Sequence, residues 1–162
     1  MNLDKVVKYF VNYCPRIGVM TLRVAIIDGQ GGGIGKSIIE RIKKLNTDKF
    51  EIIALGTNSM ATTGMKRSGA DIGATGENAI LVNAPKMDAI MGPMAIVIPN
   101  SIMGEITPAM AQAIGNSPAL KILIPLNRCN VEIPGTRDLN INELLDFSVD
   151  ELLRHYNATK AL

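Results

Sequence analysis

The chain has 162 residues, of which 47% are hydrophobic and 20% are charged. This length and balance predict one compact globular domain and exclude a chain that is disordered throughout. An aromatic content of 4% and a formal net charge of only +2 argue against a protein that binds nucleic acid through stacked bases or a basic groove.

The first 20 residues differ from the rest of the sequence. Their apolar side chains recur at helical spacing, at Val6, Val7, Phe10 and Val11. We predict that residues 1–20 form an N-terminal helical extension docked on the domain or on a partner chain, with Met20 as an alternative start. The charges and tyrosines in this segment exclude a secretory signal peptide.

Strands and helices alternate from Leu22 onward. The predicted strands cover residues 22–27, 50–55, 71–75, 88–91 and 121–126, and the predicted helices cover residues 34–45, 59–68, 77–84 and 108–114. Residues 94–98 either continue the fourth strand or begin a helix, and their Ile-Val-Ile content favours the strand. The alternation predicts an α/β chain, a Rossmann-like three-layer fold with a mainly parallel sheet, over residues 21–162.

Two helix boundaries carry specific signals. Thr107 followed by Pro108 is typical of a helix start, and Gly115 is predicted to end that helix. Nearer the C-terminus, Ser148 and Glu151 have the spacing of a capping box, which predicts that the last helix begins there.

Five of the 15 glycines lie between positions 29 and 35, directly between the first strand and the first helix. Glycines in this place allow bare backbone N–H groups to approach an anion at a helix N-terminus. The spacing GxxxGIG of short-chain dehydrogenases fits at Gly29, Gly33 and Gly35. We expect Gly33 and Gly35 to approach a ligand or the sheet too closely for a side chain, and Lys36 to add positive charge.

Other interpretations of the loop remain open. The phosphate loop GxxxxGK[ST] is a near miss, because its first glycine position holds Gln30. A related ATPase loop carries a signature lysine at the position that Gly31 occupies here, so the sequence does not match that loop fully either. A purely structural tight turn is the third interpretation. Asp28 complicates all phosphate binding, since a carboxylate repels an anion unless it faces a ribose hydroxyl, a metal or the amides of its own helix.

Polar residues also follow the other strands, and in an open parallel sheet the ligand binds at this edge. Thr57 and Asn58 follow the second strand, and Asn127 and Arg128 follow the last. The second strand thus ends without the carboxylate that usually binds the ribose diol of NAD, which favours tolerance of a 2′-phosphate. Lys66 and Arg67 lie further on and are more simply a solvated helix face.

Three further residues suggest catalysis only weakly. Tyr156 and Lys160 have the YxxxK spacing of short-chain dehydrogenases, but they follow an amphipathic helix near the end of the sequence, so we do not assign them to catalysis. Cys129 is more simply a small buried residue than an activated thiolate. With one histidine and two cysteines in the chain, we predict no metal site.

Five motifs occur in order along the chain: IDGQGGGIGK, ALGTN, GATGENAI, GP and PLNRCN. With these motifs the sequence resembles a bacterial family of Rossmann-like proteins known as a domain of unknown function. The resemblance runs from about Thr21 to about Gly135. It implies a small cytoplasmic Rossmann-type domain and brings no established activity.

The sequence as a whole predicts a cytoplasmic protein that binds a small nucleotide, NADP or NAD, without nucleic acid or membrane partners, and that forms a homodimer. The alternatives are a non-catalytic nucleotide-sensing or interaction module and a degenerate phosphate-loop protein that binds ATP or GTP. Whether the chain is an enzyme stays open. The predicted cofactor-binding residues are Asp28, Gly29, Gly31, Gly32, Gly33, Ile34, Gly35, Lys36, Thr57, Asn58, Asn127 and Arg128.

Overall fold

A computed structural model describes residues 20–126, 131–136 and 138–161. It contains a five-stranded sheet whose pairings are all parallel, in the order β3-β2-β1-β4-β5. The strands are β1 (Leu22–Asp28), β2 (Phe50–Gly56), β3 (Ile72–Thr75), β4 (Ala89–Pro93) and β5 (Leu120–Ile124). This is the strand order of the Rossmann fold, so the predicted fold class is confirmed. The predicted extension over residues 1–20 lies almost wholly outside the described residues.

In the part of the chain that the structure describes, five α-helices cover the two faces of the sheet. They are α1 (Gly33–Lys44), α2 (Ser59–Arg67), α3 (Glu77–Asn83), α4 (Pro108–Asn116) and α5 (Ile141–Lys160). Alternate residues of β1 point to opposite faces: Val24 and Ile26 belong to the core beneath α1, α2 and α5, whereas Ala25 and Ile27 belong to the core beneath α3 and α4. The strands are buried on both faces, which explains their nearly continuous apolar runs.

The segment after β4 departs from the predicted strand. Residues Met94–Val97 form a 3₁₀ helix directly after Pro93, the last residue of β4. The strand prediction for this segment was therefore wrong. Ile96 is fully buried in the core beneath α3 and α4, so its apolar character reflects that packing and not a place in the sheet.

The start of one helix and the end of another also differ from prediction. Helix α5 begins after Asn140, whose side chain accepts hydrogen bonds from the first turn while Glu143 reaches back to the Asn140 amide. Ser148 lies inside that helix and donates to the Leu145 carbonyl, so the capping box predicted at Ser148 was wrong. Helix α4 continues through Gly115 to Asn116, whereas its start at Thr107 and Pro108 is confirmed.

The order of the strands locates the crevice of the fold. Strands β2 and β3 lie on one side of β1, and β4 and β5 lie on the other. The strand order therefore reverses between β1 and β4, and this switch point lies between their carboxyl ends. Ligands of open α/β sheets bind at such a point. The glycine loop between β1 and α1 lies at this place.

Candidate functional site

The carboxylate of Asp28 accepts hydrogen bonds from amides at the two ends of the glycine loop. Asp28 is the last residue of β1 and is 5% exposed. Its Oδ1 accepts a hydrogen bond from the Gly29 amide and its Oδ2 accepts one from the Gly35 amide, each with an N···O distance of 2.8 Å. Asp28 thus faces the amides of its own helix, one of the three surroundings that the sequence left open. It neutralises part of the positive end of α1.

Two glycines of the loop are required by close packing. A Cβ on Gly35 would lie 3.1 Å from the Asp28 Cβ and would overlap the Met65 side chain of α2. Gly32, the N-cap of α1, has a φ of 66°, and a Cβ there would lie 3.0 Å from the Ala61 backbone. These two positions hold α1 against β1 and α2, as the sequence led us to expect for Gly35.

Gly31 and Gly33 differ from their neighbours because they face open space. A Cβ built on either residue meets no atom within 4 Å. Both residues line the cavity described below. Among the described residues, neither amide has a hydrogen-bond partner. The loop therefore presents two uncommitted N–H donors at the N-terminus of α1, where the helix dipole favours an anion.

The aliphatic stem of Lys36 lies against α2, because a Cβ on Gly64 would be 3.0 Å from the Lys36 Cδ. The side chain of Lys36 runs between α2 and the glycine loop, since the same Cβ built on Gly64 would also be 3.7 Å from the Gly31 carbonyl oxygen. Lys36 is not among the residues that line the cavity.

A carboxylate from a distant loop lies at the end of β2. The Oε2 atom of Glu105 accepts hydrogen bonds from the Gln30 amide at 2.9 Å, from the Asn58 Nδ2 at 2.9 Å and from the Thr57 hydroxyl. Glu105 lies between β4 and α4, 75 residues along the chain from Gln30. It joins the glycine loop to the β2 end, and the predicted site residues Thr57 and Asn58 meet there.

The two carboxylates of the site have opposite pKa shifts. Burial raises the pKa of Asp28, partly opposed by hydrogen bonds from the backbone of Gly35, Gly29 and Ile34, and the nearby Glu105 raises it further. Burial acts to raise the pKa of Glu105 too, but hydrogen bonds from Thr57, the Gln30 amide and Asn58 outweigh it, and the pKa of Glu105 is lowered. Glu105 is therefore ionised at neutral pH.

A cavity of about 530 Å³ opens beside the glycine loop at the switch point. Its size is within the ordinary range for sites of small molecules and cofactors. One wall is the loop, with Asp28 and Gln30 as its polar side chains. The rest of the lining is apolar: Ile34, Pro93, Met94, Ala95, Ile98, Ile102, Met103 and Leu126.

The structure brings together most of the predicted site, with two additions. The cavity wall after β4 was not predicted because its residues had the composition of a continuing strand, and the Glu105 carboxylate was not predicted because no local pattern marks it. The predictions for Asn127, Arg128 and Cys129 fall outside the described residues. Tyr156 and Lys160 lie inside α5 and not after the last helix as the sequence suggested, and Tyr156 is a core residue that is 3% exposed and packs edge-on against Phe50.

Two kinds of feature are absent from residues 20–126, 131–136 and 138–161. No helix in these ranges is long and apolar enough to cross a membrane. No three histidine, cysteine or acidic side chains in these ranges are grouped as a metal site would need.

Comparison with known proteins identifies a family but no activity. The family model of the domain of unknown function DUF3842 matches residues 23–157. No curated protein matches the chain. Among solved structures, the chain is similar to a "probable oxidoreductase" from Mycobacterium abscessus, with 17% identity and a TM-score of 0.43. The match covers 94% of this chain and 46% of the other, so this chain spans less than half the length of that protein.

Proposed function

This chain belongs to the DUF3842 family, and we propose that it binds a dinucleotide, NAD or NADP, across the crevice between β1 and β4. One observation carries the proposal. A cavity of about 530 Å³ lies at the switch point of a Rossmann sheet, and the two uncommitted amides of Gly31 and Gly33 border it. Topology, space and hydrogen-bond donors therefore coincide at one place.

The backbone of the loop would bind the pyrophosphate. Asp28 already uses the amides of Gly29 and Gly35, and Gly32 donates to the Gly29 carbonyl at 2.9 Å. The free donors are thus Gly31 and Gly33, which also lack neighbours where a side chain would project. Two glycines open to the cavity permit the close approach of a phosphate that a side chain would prevent.

The apolar wall would receive a flat ring. Pro93, Met94 and Ala95 at the end of β4 face the cavity together with Ile98 and Leu126. A nicotinamide ring or a similar heterocycle would bury its faces against these side chains, and methionine adapts readily to a planar partner. A mostly apolar lining with a few polar groups is typical of cofactor sites.

A non-catalytic nucleotide-binding module is the second candidate, and one observation favours it. Asp28 is the one titratable side chain among the described residues that line the cavity, and its carboxylate is engaged with loop amides. Proton transfer to a substrate needs an available acid or base within hydrogen-bond reach. The described lining of the cavity thus offers binding groups and no free acid or base.

Thermal shift of the purified protein with NAD, NADP, ATP and GTP tests the proposal. We expect NAD or NADP to raise the melting temperature and the two triphosphates to raise it less. Gly33→Ala should weaken dinucleotide binding about tenfold, because the added methyl group stands where a phosphate must approach. Gly115→Ala is the matched control, since its Cβ also meets open space but lies in α4, and its binding should equal wild type.

Two outcomes would contradict this proposal. If none of the four nucleotides shifts the melting temperature of wild type, the chain does not bind these ligands. If ATP or GTP stabilises the protein more than the dinucleotides do, the degenerate phosphate-loop alternative is favoured. Lys36→Ala tests the charge that the sequence predicts at the helix start: we expect it to weaken dinucleotide binding, and an unchanged affinity would show that the amides are the main ligands.

A further inference from the structure

The end of β2 lacks its usual carboxylate, and Glu105 lies in that place. Dinucleotide-binding Rossmann domains use an acidic residue near the end of the second strand to bind the ribose diol of NAD. Here β2 is followed by Thr57 and Asn58, which carry no charge. Both side chains donate hydrogen bonds to the Glu105 carboxylate, which also accepts one from the Gln30 amide of the glycine loop.

One oxygen of this carboxylate is left for a ligand. All three hydrogen bonds end on Oε2, and among the described residues no donor is bound to Oε1. A carboxylate oxygen can accept more than one hydrogen bond, and a cis-diol presents two hydroxyl donors. The lowered pKa of Glu105 keeps this group ionised, so that it acts as an acceptor only.

The loop that carries Glu105 has a strained backbone that is fixed by hydrogen bonds within the loop. Three non-glycine residues before it have left-handed backbones: Asn100 with φ 62°, Ile102 with φ 54° and Met103 with φ 57°. Such a conformation is costly, most of all for a β-branched residue. The loop is fixed by the Ser101 hydroxyl on the Ala95 carbonyl at 2.5 Å and by the Asn100 amide on the Ile106 carbonyl at 2.8 Å. The strain is therefore maintained by a defined set of hydrogen bonds.

Among the described residues, the carboxylate of Glu105 forms no salt bridge. None of the described residues that line the cavity is a lysine or an arginine. Lys66, which the sequence offered as a neighbour for a 2′-phosphate, donates to the carbonyls of Ala70 and Asp71 at 2.9 Å each, at the turn between α2 and β3. It is thus engaged at the far end of α2 from Thr57 and Asn58. Lys66 would therefore not compensate the charge of a 2′-phosphate beside Glu105.

We infer that Glu105 binds the ribose diol in place of a carboxylate from β2, so that the site selects NAD over NADP. The inference rests on the proposed function and goes further, because it names the ligand and the residue that selects it. A diol would donate to the free Oε1 atom, whereas a 2′-phosphate would bring a second negative charge against an ionised carboxylate. The preference thus comes from a loop 75 residues away from the glycine loop it contacts.

Calorimetric titration of NAD and NADP into wild type and three variants tests this inference. Wild type should bind NAD about tenfold more tightly than NADP, which is the range of one charge-assisted hydrogen bond. Glu105→Gln should remove this preference, because it should weaken the binding of NAD and strengthen the binding of NADP. Thr57→Val keeps the charge but removes one donor to Oε2, and it should reduce the preference less. Glu40→Gln, the same change of charge on an exposed residue bonded to Ser68, should leave the preference unchanged.

The outcomes separate this inference from the proposed function. Equal binding of NAD and NADP by wild type, or an unchanged preference in Glu105→Gln, would overturn the role of Glu105 and leave dinucleotide binding intact. A rise in affinity for both dinucleotides in Glu105→Gln would also overturn it, since Glu105 would then block the site. Binding of neither dinucleotide to wild type would overturn the proposed function and this inference together. Thr57→Val keeps the test valid if Glu105→Gln does not fold.

Discussion

Gly33 and Gly35 are two residues apart in the first turn of α1, and replacing each by alanine should have opposite consequences. A methyl group on Gly35 would overlap the fully buried side chain of Met65 and lie 3.1 Å from the Asp28 Cβ. On Gly33 the same group would meet no atom within 4 Å. Both substitutions gain helix propensity, which is up to about 1 kcal/mol for glycine to alanine. The difference between them therefore measures the packing alone.

We expect Gly35→Ala to be less stable than Gly33→Ala by about 1–3 kcal/mol, the usual cost of overfilling a packed core. In a chain of this length each kcal/mol corresponds to about 2–4 °C in melting temperature. Urea unfolding of both variants gives the free-energy difference, and the ligand-free protein must be used so that binding does not contribute. Equal stability of the two variants would refute the close packing of α1 against β1 and α2.

Three further predictions concern the scaffold and the pH dependence of the site. Gly92→Ala should destabilise the protein by about 3 kcal/mol or more in urea unfolding, because the added Cβ would overlap the Ile27 carbonyl on neighbouring β1 and only a backbone shift could relieve it. Asn140→Ala should cost about 1 kcal/mol by removing the cap of α5, whereas Ser148→Ala should cost less; the reverse order would restore the capping box at Ser148. The lowered pKa of Glu105 means that its contribution to stability is present at neutral pH and is lost as the pH falls below its ordinary value of 4.5. The stability difference between wild type and Glu105→Gln should therefore shrink on acidification, and a difference that grows instead would show that the pKa of Glu105 is raised.

The parts of the fold that the sequence predicts well are those with a local cause. The apolar run of β1, buried on both faces, and the helical spacing of Ile38, Ile39 and Ile42 in α1 each follow from the surface that the element buries. The close packing of Gly35 follows in the same way, since a glycine at the start of a helix beside a strand is required where the two approach each other. These features depend on neighbours a few residues away.

The sequence predictions are wrong where two local signals are equivalent or where a structural feature depends on residues that are distant in the sequence. Asn140 with Glu143 and Ser148 with Glu151 have the same capping spacing, and only the tertiary fold decides that the helix already begins at the first pair. The segment after Pro93 has the composition of a strand, but it is buried against α3 and α4 instead of pairing with the sheet. Composition alone does not distinguish these two kinds of burial.

Glu105 is the part of the candidate site that could not be predicted from the sequence. It lies in an irregular loop, many residues beyond the end of β4, and nothing in its local sequence indicates that its carboxylate contacts the β2 end. The role that we infer for Glu105 reverses the cofactor preference expected from the sequence, since the absence of an acid after β2 suggested tolerance of a 2′-phosphate. Only the folded backbone of the loop from β4 to α4 brings the missing charge to the site.

Amide hydrogen exchange at Gly31 and Gly33, followed by heteronuclear NMR with and without NAD, tests the central claim most directly. In the free protein neither amide has a partner among the described residues, so both should exchange fast. If their N–H groups hold the pyrophosphate, saturation with NAD should slow both, while the Gly35 amide, already bonded to Asp28, should change little. Fast exchange at Gly31 and Gly33 in protein saturated with NAD would contradict the account.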